Sequence, residues 1–412
     1  MNTKYIYLLI AFSAFCQTSF GQIDLLKDGS LPYDTSTTAV VELAGERTDN
    51  SNSLNRNLLE KLVFGGYINS AVKESVTERL DGRNYYRGMM NPALNFTLFP
   101  DSARFGYLFS YRYTNIADLR FSNDFFKLAF YGNASFGDQL ANLSGSGYLQ
   151  QTYQSLSFGL VEKKSGSFLS IGLYDGIDFR NYSFGQTYFL TEYGNTQGET
   201  YAENMYFNTS NSEFLESSNS YKPFGNGVGV GLSARYNFEA SDHKISVSVT
   251  DLGAIYWRDI ASRDTTGEFE FSGFEFSPRD GSTVDDVVES LVDSIIPNGK
   301  NINKWVLLPG FVQVNYVSPA KNRIFTSARA IHYYGTDYYT EVSADLNMKY
   351  GKSNFLWLTA GFGGFDTYLL GLGTEFSVFQ DGVFRIGSRQ VLGFVDGSVP
   401  TMNLYFQYIQ RL

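Results

Sequence analysis

The feature that most limits how this chain can fold is a strict two-residue alternation held over long runs. Period two places one set of side chains on each face of a β-strand. From Tyr338 to Tyr350, the set Tyr338, Val342, Ala344, Leu346, Met348 and Tyr350 alternates with Glu341, Ser343, Asp345, Asn347 and Lys349. Val228, Val230, Leu232, Ala234, Tyr236 and Phe238 alternate with Gly229, Gly231, Ser233, Arg235 and Asn237. After a short turn, Ile245, Val247 and Val249 are set against Lys244, Ser246, Ser248 and Thr250. Leu370, Leu372, Phe376 and Val378 repeat the pattern against Gly371, Gly373, Glu375 and Ser377.

A soluble sandwich alternates too, with its apolar face inward. Three features favour the inverted arrangement, apolar outward to lipid and polar inward to a lumen. The runs are about 10–14 residues long, where soluble strands cluster near 5–6. The polar face carries several full charges on one strand, as at Glu341, Asp345 and Lys349. Aromatic residues gather at run ends, at Tyr333-Tyr334, Tyr338-Tyr339 and Tyr405 to Tyr408, where an interfacial girdle belongs. Composition agrees: 30 Tyr, 36 Phe and 40 Gly, with only 18% charged residues, suit strands and turns. No apolar run beyond the N-terminus approaches the roughly 18–20 residues of a membrane helix. Net charge of −10 with scattered basic residues argues against nucleic-acid binding.

The expected fold is therefore all-β, a transmembrane antiparallel β-barrel of about 14 strands, with roughly 12 to 16 as the range. Tight turns are expected at Pro100-Asp101-Ser102, Ser241-Asp242-His243, Pro319 to Asn322, Gly351-Lys352-Ser353 and Gln380-Asp381-Gly382. Two long loops, 190–225 and 259–303, fall outside the cell if both termini are periplasmic. The same count makes 132–150 a long periplasmic connection. Leu404 to Leu412 read as an aromatic closing strand.

Residues 1–21 read as a secretory signal. Lys4 supplies its positive region, Tyr5 to Cys16 its apolar stretch, and Ser19-Phe20-Gly21 its cleavage site. The only cysteine, Cys16, lies within it, and Phe15 is too bulky to precede a lipidated cysteine. Disulfides and thiol chemistry are thereby excluded from the mature chain. Residues 22–53 are polar and patternless, expected as a flexible periplasmic segment. Leu54, Leu58, Leu59, Leu62 and Val63 have helical spacing, with Ser53 or Asn52 as cap. That helix is expected over 54–63, in the lumen, at its mouth or on the barrel rim.

Asn91-Pro92-Ala93, the run YGNASFGDQLANLSGSGYLQQTYQSLSFGL at 131–160 and SVSVTDLGAIYW at 246–257 resemble a Bacteroidota family of outer-membrane barrels known as a domain of unknown function. That family is in turn similar to fatty-acid-transporter-type barrels of fourteen strands. The resemblance implies fold and compartment and brings no catalytic residues. Related barrels include channels for hydrophobic compounds and accessory subunits of the type 9 secretion translocon.

Chemistry could reside in two places. The lumen-facing candidates are Arg235, Lys244, Glu341, Asp345, Lys349 and Glu375, which would either set pore selectivity or pair within a packed interior. The acidic-loop candidates are Asp280, Asp285, Asp286, Glu289 and Asp293, in a loop whose residues 283–296 pattern as an amphipathic helix. A second loop holds Glu192, Glu199, Glu203, Glu213 and Glu216. Such carboxylates could bind cations, bridge lipopolysaccharide phosphates or dock a partner, but no calcium-loop spacing is present.

Catalysis finds no footing. A hydrolase needs a base beside a nucleophile, and the only histidines are His243, in a turn, and His332, on an apolar phase. GVGVG at 227–231 lacks the G-x-G-x-x-G fingerprint. No metal site or cofactor is indicated. The sequence points to a passive channel for small hydrophobic molecules, or to a non-transporting subunit of a type 9 secretion, gliding or surface-assembly complex. Its expected partners are outer-membrane lipid and lipopolysaccharide, a small hydrophobe, or an assembly protein.

Overall fold

The computed structural model describes residues 31–412, apart from 32, 35, 197–198, 218–221, 272–298, 321–322, 352–353, 366 and 379–380. In chain order the elements are β1 (Ala39–Ser51), α1 (Arg56–Phe64), α2 (Ser70–Thr77), β2 (Asn84–Leu98), β3 (Phe105–Phe121), α3 (Asn123–Tyr131), β4 (Ala141–Asn142), β5 (Gly147–Glu162) and β6 (Phe168–Ser183). Next come β7 (Gln186–Thr196), β8 (Glu199–Glu216), β9 (Gly227–Ala240), β10 (His243–Phe271), β11 (Lys300–Leu307), β12 (Gly310–Val317) and β13 (Ile324–Tyr334). The chain finishes with β14 (Glu341–Tyr350), β15 (Asn354–Gly363), β16 (Thr367–Val378), β17 (Gly382–Ser388), α4 (Leu392–Val395) and β18 (Thr401–Arg411).

Fourteen strands close a ring. The circuit runs β1, β2, β3, β5, β6, β9, β10, β12 and then β13 to β18, every pair antiparallel. The seam is β1 against β18, in unbroken register from Val40–Arg411 to Asn50–Thr401. Closure removes the exposed edges that an open sheet would leave.

The alternation sorts by side as an inverted protein does. Leu94, Phe96, Phe109, Phe158, Ile171, Leu232, Val314, Leu346, Leu358 and Leu372 are exposed on the outside. Inward neighbours such as Asn95, Ser110, Ser170, Ser233, Asn347 and Thr359 are buried. An outer apolar belt over a polar interior is the distribution of a membrane-spanning barrel. Among the described residues no helix is long and apolar enough to cross a membrane.

At one end every connection is short: 99–104 after β2, 163–167 after β5, 241–242 after β9, 318–323 after β12 and those after β14 and β16. Ser241 and Asp242 turn with positive φ, as short polar side chains can. Every long connection lies at the other end. There β7 and β8 form a hairpin whose β8 pairs with the far half of β10, from Ala261 to Phe271. That 29-residue strand thus belongs to both the wall and an outer blade. Phe136, Leu143, Phe189, Phe207 and Phe214 pack the blade's core.

Four expectations are corrected. Residues 39–51 are the first barrel strand and not part of a flexible segment. Polar residues on both of its phases, with Glu42, Glu46 and Asn50 inward and Arg47 and Asp49 outward, hide the alternation. Counting this strand reverses the parity, so the 132–150 region sits at the long-loop end. The helix, Arg56–Phe64, follows β1 at that end; its cap is Asn55, whose side chain accepts from the Leu58 N–H at 2.9 Å. Much of the expected loops 190–225 and 259–303 is β-structure. The signal segment lies outside the described residues.

Candidate functional site

The barrel interior is the place to look for chemistry, because every inward phase converges on it. At the tight-turn end it is closed by apolar packing. The segment before β1 brings Leu31 and Tyr33 against Val40, Phe99, Leu108, Val161, Phe168, Val383 and Ile409. Tyr33 lies 4.5 Å from the Phe99 ring, and burial raises its phenol pKa. Lys163 Nζ donates to the Thr37 carbonyl (2.9 Å), and the Asp34 carboxylate accepts from the N–H and hydroxyl groups of Ser36 and Thr37. Those hydroxyls, followed by the Ser36 N–H, push the Asp34 pKa down to about 2.

Above this floor the interior is ionic. Arg112 on β3 reaches Asp251 on β10 (2.6 Å), which also accepts from the Tyr174 hydroxyl on β6 (2.6 Å). Asp251 has φ +58° and sits where the β9–β10 register shifts. This is a β-bulge, a device that re-aims a side chain. The inward set changes there from Ser246, Ser248 and Thr250 to Ile255 and Trp257. Nearer the mouth, Glu46 accepts from Arg389 and Asn403, Arg389 also donates to Glu341 (2.9 Å), and Glu341 accepts from Arg329 (3.0 Å).

The six lumen candidates do not form one centre. Glu341 joins the four-charge chain just described, and Glu375 pairs with Arg385 (2.6 Å). Asp345 accepts from Ser327 (3.1 Å) and Thr359 (2.6 Å). Arg235 lies over the Phe168 ring (5.5 Å), Lys349 over Phe355 (5.6 Å), and Lys244 is 3.8 Å from Glu239. Glu46, Arg87, Arg112, Asp118, Asp251 and Arg389 were not among the candidates. Glu46 is on the strand whose alternation is hidden, and Asp251 on the bulge where parity changes. Asp280, Asp285, Asp286, Glu289 and Asp293, with the helix expected over 283–296, lie outside the described residues. Of the second acidic loop, Glu213 pairs with Lys304 (3.1 Å).

At the long-loop end the lumen is roofed. Tyr333 and Tyr338, expected in an outer girdle, are buried inward with Phe365 and Ile331. Arg87 on β2 lies over both tyrosine rings, at 5.4 and 4.7 Å, while its guanidinium pairs twice with Asp118 (2.6 and 2.7 Å). β2 and β13 are seven strands apart in a ring of fourteen, so this contact joins opposite walls. Asn50 ties the roof to the seam by donating to the Tyr338 hydroxyl (2.7 Å). Outside the roof is a cleft of about 380 Å³ lined by Asn52, Asp81, Arg83, Tyr85, Tyr339 and Phe365.

Between floor and roof, one sector is apolar. Tyr153, Tyr174, Phe179, Leu215, Ile255, Trp257, Ile260 and Leu308 cluster inside the wall of β5, β6, β9 and β10. Gly227, Gly229 and Gly231 make room for them. A Cβ on Gly229 would come within 2.8 Å of Ile255 and 2.5 Å of the Ala254 carbonyl. The GVGVG run is thus a bare stripe of wall. Among the described residues no three His, Cys, Asp or Glu side chains are grouped to hold a metal ion.

The chain is similar to several solved barrels. It is 9% identical to the Pseudomonas putida toluene transporter TodX, covering 95% of this chain and 94% of that one at a TM-score of 0.37. For the Ralstonia pickettii toluene transporter TbuX the values are 9%, 92%, 90% and 0.38. For the translocator domain of autotransporter NalP from Neisseria meningitidis they are 8%, 92%, 89% and 0.31. No curated protein matches the chain. The family of unknown function DUF5723 matches residues 45–380, from the first barrel strand to the end of β16, and the chain belongs to that family.

Proposed function

We propose that this protein is a gated outer-membrane channel for small hydrophobic molecules, with the long loops outside and both termini periplasmic. The observation that carries the reading is the buried apolar cluster around Trp257, set inside the wall beside the ionic pairs that fill the middle of the lumen. Pockets that hold hydrophobes are concave and mostly apolar, with a few placed polar groups. The Tyr153 hydroxyl and Arg112 Nε, both buried without a hydrogen-bond partner among the described residues, supply such groups beside it. Arg87 and the aromatic roof act as the gate, and outer-membrane lipid with lipopolysaccharide surrounds the belt.

The test uses purified protein in proteoliposomes. In a Trp305→Phe, Trp357→Phe background, a small hydrophobic fluorescence quencher is expected to reduce Trp257 emission, a response absent when Trp257 is also changed to Phe. Flux of the quencher is expected to rise in Arg87→Ala. Unquenched Trp257 together with no flux in either protein overturns the channel. A second reading, an accessory subunit of a type 9 secretion, gliding or surface-assembly complex, is favoured by the contact of opposite walls at Arg87. Stoichiometric recovery with a large assembly protein in mild detergent would establish it in place of transport.

A further inference from the structure

β17 is the shortest strand of the ring, seven residues, and it stops at Ser388 while β16 and β18 continue beyond it. Amide side chains take over where its ladder ends. The Arg389 N–H donates to Asn403 Oδ1 (3.0 Å), Gln390 Nε2 donates to the Tyr368 carbonyl (2.6 Å), and Gln390 Oε1 accepts from the Leu370 N–H (3.3 Å). The Val391 N–H closes the row on the Leu370 carbonyl (2.8 Å). The chain then turns into α4. Gly393 is buried so close to the Thr401 carbonyl that a Cβ would meet it at 2.2 Å. Its neighbours Leu392, Phe394 and Val395 are 43%, 44% and 85% exposed. From the mouth side Arg56 Nη1 holds the Gly393 carbonyl (2.8 Å), and the Arg79 guanidinium holds that of Ser398.

Register fixes the height of this turn. Ser388 is level with Leu372, and Val391 with Leu370, both outward residues of the apolar belt. On the other flank Leu404 faces outward and pairs with Arg47, and Met402 pairs with Asp49. Arg47 and Asp49 form an outward ion pair (3.0 Å) that the Tyr86 hydroxyl joins (2.8 Å to Asp49). The outward phase of the wall therefore passes from exposed apolar residues to a partly buried ion pair across the height of α4.

We propose that α4 is a membrane-interface anchor, with Leu392, Phe394 and Val395 seated in lipid at the boundary between headgroups and acyl chains. The occupant is the membrane's own lipid, because the exposed side chains continue the belt through Leu370 and Tyr368. Phe and Leu are residues that interfacial segments use for this purpose. α4 then seals the wall where β17 falls short, and lipid covers its outer face. This inference does not depend on transport.

The test is depth. Val395→Cys and, separately, Phe394→Cys are spin-labelled in a Cys16→Ser background and reconstituted in phospholipid vesicles. Accessibility to oxygen and to a water-soluble nickel chelate is compared with that of Leu370→Cys, in the belt, and Tyr67→Cys, 82% exposed between α1 and α2. Labels at 394 and 395 are expected to favour oxygen over chelate as at 370. A chelate-dominated response like that at 67 overturns the proposal. Protection from both reagents in native membranes, lost on purification, would assign the patch to a protein partner and also overturn it. Retained heat-modifiable migration shows that each variant is folded, and either label alone decides the outcome.

Discussion

The Glu375–Arg385 pair shows what a single lumen side chain is worth. Both groups are buried, and removing one partner strands a charge, which costs about 3–5 kcal/mol. Glu375→Ala is expected to lower the thermal unfolding midpoint in detergent, and Glu375→Leu with Arg385→Met together to recover most of it. Gly229→Val tests the bare stripe. Its methyls would press on Ile255 and on backbone, so a loss of about 1–3 kcal/mol is expected, read from the same midpoint. Asp34 gives a pH test. Its carboxyl is held below its ordinary value of 3.8, so its contribution is present above that value and lost as pH falls toward about 2. Limited proteolysis at graded pH is expected to release the segment before β1 across that window, and Asp34→Asn to abolish the dependence. Alternation made the phase of Glu341 and Glu375 legible, because an undistorted strand fixes the phase of every member. It could not reveal Arg112 or Asp251 as partners. They meet from β3 and β10, four places apart in the ring, and Asp251 turns inward only because its bulge changes the parity.

Among the elements, those with regular backbone were the readable ones. β9 and β14 carry apolar residues on one phase only, and the structure keeps that phase outward. β1 carries charge on both phases, since its upper end leaves the apolar belt, and so it read as patternless. α1 was legible from its apolar spacing, but three polar residues precede it and only Asn55 reaches the Leu58 N–H. Asn55→Ala is expected to cost about 1 kcal/mol, as loss of an N-cap does. Asn55→Asp should retain most of the stability, with the unfolding midpoint as the measure for both.

For the whole molecule, the seam and the roof decide the behaviour. Eleven consecutive register pairs join β1 to β18, so the ring resists opening until the whole sheet fails. The protein is expected to migrate faster on a detergent gel unheated than boiled, and extraction into buffer without detergent would contradict a membrane barrel. The strand number was legible because fourteen was reached from turns and alternation together. Which end each connection occupies was partly lost, because one unseen strand reverses the assignment of 132–150. The closed roof was not legible at all. Tyr333 and Tyr338 have the composition of a girdle, and only the seven-strand contact with Arg87 shows them facing inward.

β10 has a mechanical consequence. One continuous strand is both a stave of the wall and the spine of the outer blade, with left-handed kinks at Asp251 and Asp259. No linker separates the two parts along it. A load on the blade is therefore carried down the strand as shear, spread over many ladder bonds at once. The first kink below the blade is Asp259, and the next is Asp251, bonded across the lumen to Arg112. The blade is a lever arm whose short end is an ion pair inside the barrel.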